Sequence, residues 1–140
     1  MRKILTAITF TLFVAGMAIS QAKMTTTKSG LQYRDLAVGS GDVAMKGNTV
    51  QVRYTGWLYV DGKRGMKIDS SDDGKWNGTF KLGKGEVMPG WDEGLEGMRV
   101  GGKRELIIPP NLAFGPKDAA GVIPPNSTLD FEVELVKVTK

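Results

Sequence analysis

The chain has 140 residues, 41% of them hydrophobic and 24% charged, and it contains neither histidine nor cysteine. This composition suits one globular domain. It excludes imidazole acid–base catalysis, thiolate nucleophiles, disulfides and the usual zinc sites. Removing Arg2 and Lys3 leaves 17 basic against 15 acidic residues, a net charge of +2 with no long like-charged run, so nothing points to a nucleic-acid partner.

Residues 1–22 read as a secretory signal peptide. Arg2 and Lys3 form a basic start, Ile4 to Ile19 an apolar stretch, and Ala18-Ile19-Ser20 and Ser20-Gln21-Ala22 small-residue cleavage patterns. The rival reading is an uncleaved membrane anchor, for which the stretch is short and interrupted by Thr6, Thr9 and Thr11. Cleavage places the domain, residues 23–140, in a periplasmic or secreted setting. Without cysteine, packing alone must stabilise it.

Leu31 to Val38 alternates and stops at Gly39-Ser40-Gly41-Asp42, which predicts a strand. Thr49 to Val60 is the strongest strand, with Val50, Val52, Tyr54, Leu58 and Val60 on one face and Gly56 marking a bulge or a close backbone approach. Asp61-Gly62 ends it as a turn. Lys63 to Gly78 reads as a long polar loop, with a bulged edge strand at Met66 to Asp69, and Thr79 to Leu82 as a short strand. A helix of about ten residues begins at Pro89, with Trp91, Leu95 and Met98 on its apolar side and a stop at Gly97 to Gly102. Too short to be stable alone, it requires flanking strands to cover it, which puts Trp91 at the centre. Glu105 to Ile108 is a strand. Asn111 to Asn126 is a loop that presents Phe114, Val122 and Ile123, and Leu129 to Leu135 alternates as a half-buried antiparallel strand. The sum is an α+β domain, an antiparallel sheet packed over one helix.

Gly83-Lys84-Gly85 lacks the remaining features of a phosphate-binding fingerprint, and Asp72-Asp73-Gly74 lacks the spaced ligands of a calcium loop, so no metal or cofactor is expected. What remains is aromatic and apolar: Tyr54, Trp91, Phe114, Val122, Ile123 and Phe131, with the loop carboxylate of Asp69. Each alone reads more readily as core packing than as a site.

Their combination resembles the FKBP-type peptidyl-prolyl isomerases. Val52-Arg53-Tyr54-Thr55-Gly56 is similar to the family's V-x-Y-T-G strand, Asp69-Ser70-Ser71 to its D-S-S loop, Leu82 to Trp91 to its L-G-x-x-x-V-I-x-G-W segment, and Gly121 to Leu129 to its G-x-I-P-P-x-(A/S)-x-L loop. The resemblance spans about residues 28–138. It implies five to six antiparallel strands curled around one short helix, with the pocket between them. It also implies that Tyr54, Asp69, Trp91 and Phe131 serve catalysis, Trp91 as the floor, and that Ile68, Phe80, Val87, Met88, Phe114, Val122 and Ile123 bind substrate, the N–H of Met88 donating to the ligand.

Three positions depart from the family pattern. Phe114 stands where a Tyr hydroxyl commonly donates to the bound carbonyl, and Gly78 where an aromatic wall residue is common, with Trp76 nearby to fill the space. The Trp57–Lys67 segment is about four residues longer than in a minimal member. The resemblance implies an isomerase for proline-containing polypeptides, assisting the folding of exported proteins, with the family's macrolide inhibitors as further ligands. Lys23 to Gly30 is too short for the helical dimerisation domain of some members, so a monomer is expected. The alternatives are a chaperone module that binds proline segments with little catalysis, and a membrane-tethered adaptor if the leader is retained.

Overall fold

The computed structural model describes residues 23–74, 76–119 and 121–140; the stretch read as a signal peptide, residues 1–22, lies outside them. The elements are β1 (Thr25–Thr26), β2 (Gln32–Ala37), β3 (Thr49–Val60), β4 (Lys63–Ser70), β5 (Thr79–Lys81), α1 (Pro89–Gly94), β6 (Lys103–Ile108), a 3-10 turn (Pro110–Leu112) and β7 (Thr128–Thr139). All strand pairs are antiparallel. The order across the sheet is β1-β2-β6-β7-β3-β4, and β5 pairs with the start of β3.

Among the described residues the sheet has seven strands, more than the five to six expected, because the two-residue β1 is too short to show a period; β4 is also longer than expected. Lys63 to Ser70 is one eight-residue strand of a hairpin whose turn is Asp61 (φ 52°) and Gly62 (φ 74°). Five of its residues from Lys63 to Lys67 are exposed, so no apolar face advertised it. Ladder hydrogen bonds to β3 hold it instead, with register shifts either side of Trp57. Val60, expected on the same face of β3 as Val50 and Val52, is 54% exposed; it ends the strand at the Asp61–Gly62 turn.

Val50, Val52 and Tyr54 of β3 and Leu129, Phe131, Val133 and Leu135 of β7 point to the same side and are buried around α1. Burying each such side chain contributes on the order of 2 kcal/mol. The helix is six residues long, not ten. Its C-cap, Leu95, still has right-handed backbone, and the chain then turns through Gly97 at φ 88°. Trp91, Leu95 and Met98 are nonetheless all buried, as their spacing predicts, because hydrogen bonds from Leu95 to Trp91 and from Met98 to Leu95 continue the turn.

The other face of the sheet carries charge. Glu105 of β6 lies opposite Glu132 of β7, and Asp130 opposite Trp57. Arg64 of β4 reaches all three acids, with Nε 3.0 Å from Asp130, Nη2 3.2 Å from Glu105 and Nη1 2.9 Å from Glu132. Its guanidinium also stacks 3.7 Å from the centre of the Trp57 ring. Arg34 of β2 holds the other oxygen of Glu105, Nε to Oε1 at 2.8 Å, so two arginines offset like charges that would otherwise repel across the strands.

Candidate active site

Between α1 and the sheet lies a cleft of about 370 Å³, lined by Tyr54, Ile68, Asp69, Trp76, Glu86, Val87, Met88, Trp91, Phe114, Ile123 and Phe131. Segments far apart in sequence supply its walls: β3 gives Tyr54, the end of β4 gives Ile68 and Asp69, β7 gives Phe131, and the approach to α1 gives Glu86 to Met88. The antiparallel path β7-β3-β4 brings the first three groups side by side.

The Trp91 indole is 3% exposed and floors the cleft. Tyr54 and Phe131 meet it edge-on, at centroid distances of 5.0 Å and 5.3 Å, and Phe80 and Trp76 lie at 6.0 Å and 6.3 Å. Such edge-to-face pairs favour a fixed ring orientation. Gly90 and Gly94 let the helix sit close to the sheet, since a Cβ there would lie 2.5 Å from Ile108 Cγ2 and 2.7 Å from Leu106 Cδ2. The Trp91 Nε1–H is buried without a hydrogen-bond partner among the described residues, so the floor presents ring and not a polar tip.

Asp69 is held at both oxygens. Tyr54 Oη–H donates to Oδ2 at 3.0 Å, and the Ser70 N–H to Oδ1 at 2.8 Å. Burial, and then the hydrogen bond to Asp69, push the Tyr54 phenol up to about 12, so it remains a donor at any physiological pH. The rest of the Asp-Ser-Ser loop closes the ladder where β3 changes partner: the Tyr54 N–H donates to Ser71 Oγ at 3.0 Å, the Ser71 N–H to Tyr54 O at 2.9 Å, and the Asp72 N–H to Ser70 Oγ at 3.2 Å.

Of the eleven site residues expected from sequence, nine line the cleft. Phe80 does not: it is 4% exposed, paired with Val50, and supports Trp91 and Trp76 from behind. Val122 does not line it either, and stands 45% exposed beside the Ala119–Ile123 bridge. Trp76 fills the wall, as proposed for the place left by Gly78, but from the connection before β5 and not from a strand face. Its ring lies 5.9 Å from Tyr54. Gly78 could not carry a side chain, because at φ 78° a Cβ would lie 2.1 Å from Val52 O. Glu86 was not anticipated; it sits inside the Leu82–Trp91 motif, and its role as a lining residue depends on how that segment turns.

The match to known proteins is decisive. The family profile described as FKBP-type peptidyl-prolyl cis-trans isomerase matches residues 41–136. The chain belongs to this family. It is 51% identical over 109 residues to an FK506-binding protein of Neisseria meningitidis serogroup B (strain ATCC BAA-335 / MC58), covering 78% of this chain and 96% of that one. It is 41% identical over 137 residues to FK506-binding protein 2 of Yarrowia lipolytica (strain CLIB 122 / E 150), covering 98% and 92%. Among solved structures, AtFKBP13 superposes with a TM-score of 0.73 at 38% identity over 82% of this chain and 98% of that one. FkpA from Escherichia coli gives 0.72 at 39% over 88% and 55%.

An FKBP-type isomerase rotates an X–Pro amide without breaking a bond. The barrier of about 18–20 kcal/mol comes from amide resonance. As the bond twists, the nitrogen loses conjugation and the C–N dipole shrinks. An aromatic cleft from which a bound peptide displaces water therefore favours the twisted form over the more polar planar one, which is differential binding of the transition state. Asp69, fixed at both oxygens, can orient or polarise the amide.

Proposed function

We propose that this isomerase acts on proline-containing polypeptides during the folding of exported proteins, where slow X–Pro exchange over tens to hundreds of seconds limits maturation. The observation that carries this reading is the cleft itself, one indole floor walled by aromatic and aliphatic side chains with the Asp69 carboxylate clamped at both oxygens beside it. It opens at Trp76 and Phe114, which are 41% and 40% exposed and can meet an extended chain on either side of a proline. The leader pattern of residues 1–22 supports periplasmic or secreted action, and the isomerase acts there as a monomer. The relatives named as FK506-binding proteins support the same cleft as a macrolide site.

A protease-coupled prolyl-peptide assay on residues 23–140 tests the catalytic role, with Asp69→Ala and Phe131→Ala as controls. Isomerisation at the blank rate would overturn it. The mass of the protein recovered from its cells tests the export reading, light-scattering mass tests the monomer, and FK506 titration tests the macrolide site.

Phe114 favours a second reading, a module that holds proline segments with little acceleration, since its ring lines the cleft without offering a donor. Retained peptide binding at blank rates would select this alternative.

A further inference from the structure

We propose that Asp92, next in the chain to the Trp91 floor, is a positioning residue that sets the opposite wall of the cleft. One carboxylate takes both ends of a turn: the Gly83 N–H donates to Oδ1 at 2.8 Å and the Gly85 N–H to Oδ2 at 2.9 Å. Both glycines have left-handed backbone, φ 80° and 74°, which aims their N–H groups at the helix and which other residues rarely adopt. Acidic residues at this helical position ordinarily serve the helix dipole. Here the side chain turns back onto the preceding segment.

That segment belongs to neither β5, which ends at Lys81, nor α1, which starts at Pro89. Besides Asp92, Glu86 ties it down by accepting the Lys81 N–H at 2.9 Å. The residues that follow the clamp, Glu86, Val87 and Met88, line the cleft. Asp92 therefore ties wall to floor: its backbone is continuous with Trp91, and its carboxylate fixes the turn that delivers Val87 and Met88. The same short turn of helix sets the distance across which the prolyl ring must fit.

The test compares Asp92→Ala, which removes both acceptors, Asp92→Asn, which keeps the size and one acceptor, and Asp92→Glu, which restores a carboxylate. Two readouts are taken below the melting temperature: amide exchange at Gly83 and Gly85, and KM and kcat with a prolyl peptide. The expected result for Asp92→Ala is faster exchange at both glycines and a fall in kcat/KM of about ten- to a hundred-fold, the upper figure being the scale of a 1 Å misplacement. The loss should lie mainly in KM, because Val87 and Met88 hold the peptide before as well as during the twist. Asp92→Asn should fall between, and Asp92→Glu should recover part of the loss. Faster exchange with unchanged kcat/KM would overturn the proposal, as would unchanged exchange, or an activity loss that only tracks the unfolded fraction. Should Asp92→Ala fail to fold, the same comparison is decided on Asp92→Asn. An unsubstituted chain that binds peptide without catalysis would point instead to the alternative reading of the site, and peptide affinity would then replace KM.

Discussion

Phe131 lies against the bare backbone of Gly56, its partner across β7 and β3. A Cβ at position 56 would stand 2.4 Å from Phe131 Cε1 and 2.9 Å from Cζ. The glycine is there for closeness, and it keeps the Phe131 ring at the angle that meets Trp91 edge-on. Gly56→Ala is expected to displace that ring, lowering stability by about 1–3 kcal/mol, as overpacking does, and reducing kcat/KM. Urea denaturation beside the isomerase assay checks both; an unchanged midpoint and rate would show that the ring gives way freely.

Asp69 and Tyr54 make a separate prediction. Because both carboxylate oxygens are already engaged, Asp69→Ala should lower kcat/KM by a factor on the order of ten, as loss of an oriented group does. It should not introduce a new pH dependence. A pH–rate profile from 5 to 8 that is flat in the unsubstituted chain, and lower but equally flat in the variant, is the expected outcome. A sigmoid that disappears with Asp69 would mean that the carboxyl transfers a proton.

At the mouth of the cleft, Trp76 and Phe114 should respond in opposite directions. Trp76→Ala removes a half-exposed wall ring that packs on Tyr54, Phe80 and Trp91, and is expected to weaken prolyl-peptide binding several-fold and to lower the melting temperature. Phe114→Tyr adds a hydroxyl donor and should tighten prolyl-peptide binding about five-fold, the equivalent of one hydrogen bond of ~1 kcal/mol. Isothermal titration on both variants measures this.

Acid titration of the charged face has a defined sign. Burial pushes Asp130 up to about 6, and the neighbouring Glu105 adds to this, against the pull of Arg64. A carboxyl whose pKa is raised on folding favours the folded state most below its unfolded value near 4, and loses that contribution as pH rises through 6. Between pH 4 and 6.5, Asp130 should therefore make stability fall with rising pH. The change in urea midpoint across that window should be less negative, or more positive, in Asp130→Asn. Identical changes in the two chains would refute the assignment.

Sequence alone determined β2, β3, β5, β6 and β7 and the buried face of the helix. Alternation in β3 and β7, and the Trp91, Leu95, Met98 spacing, follow from which side chains must leave water, and that requirement is local. It also made the family visible, because motifs such as Val52 to Gly56 and Asp69 to Ser71 keep fixed residues at fixed spacing. Tertiary structure decided what depends on distance between remote segments. It showed β4 as a full strand, since its support is a ladder and an ion cluster without an apolar stripe. It moved Phe80 behind the wall and Val122 outside the cleft, placed Trp76 on a connection and not on a strand face, and brought Glu86 into the lining. No period encodes these placements, because each is set by how the chain turns at glycines and bulges before the side chains meet.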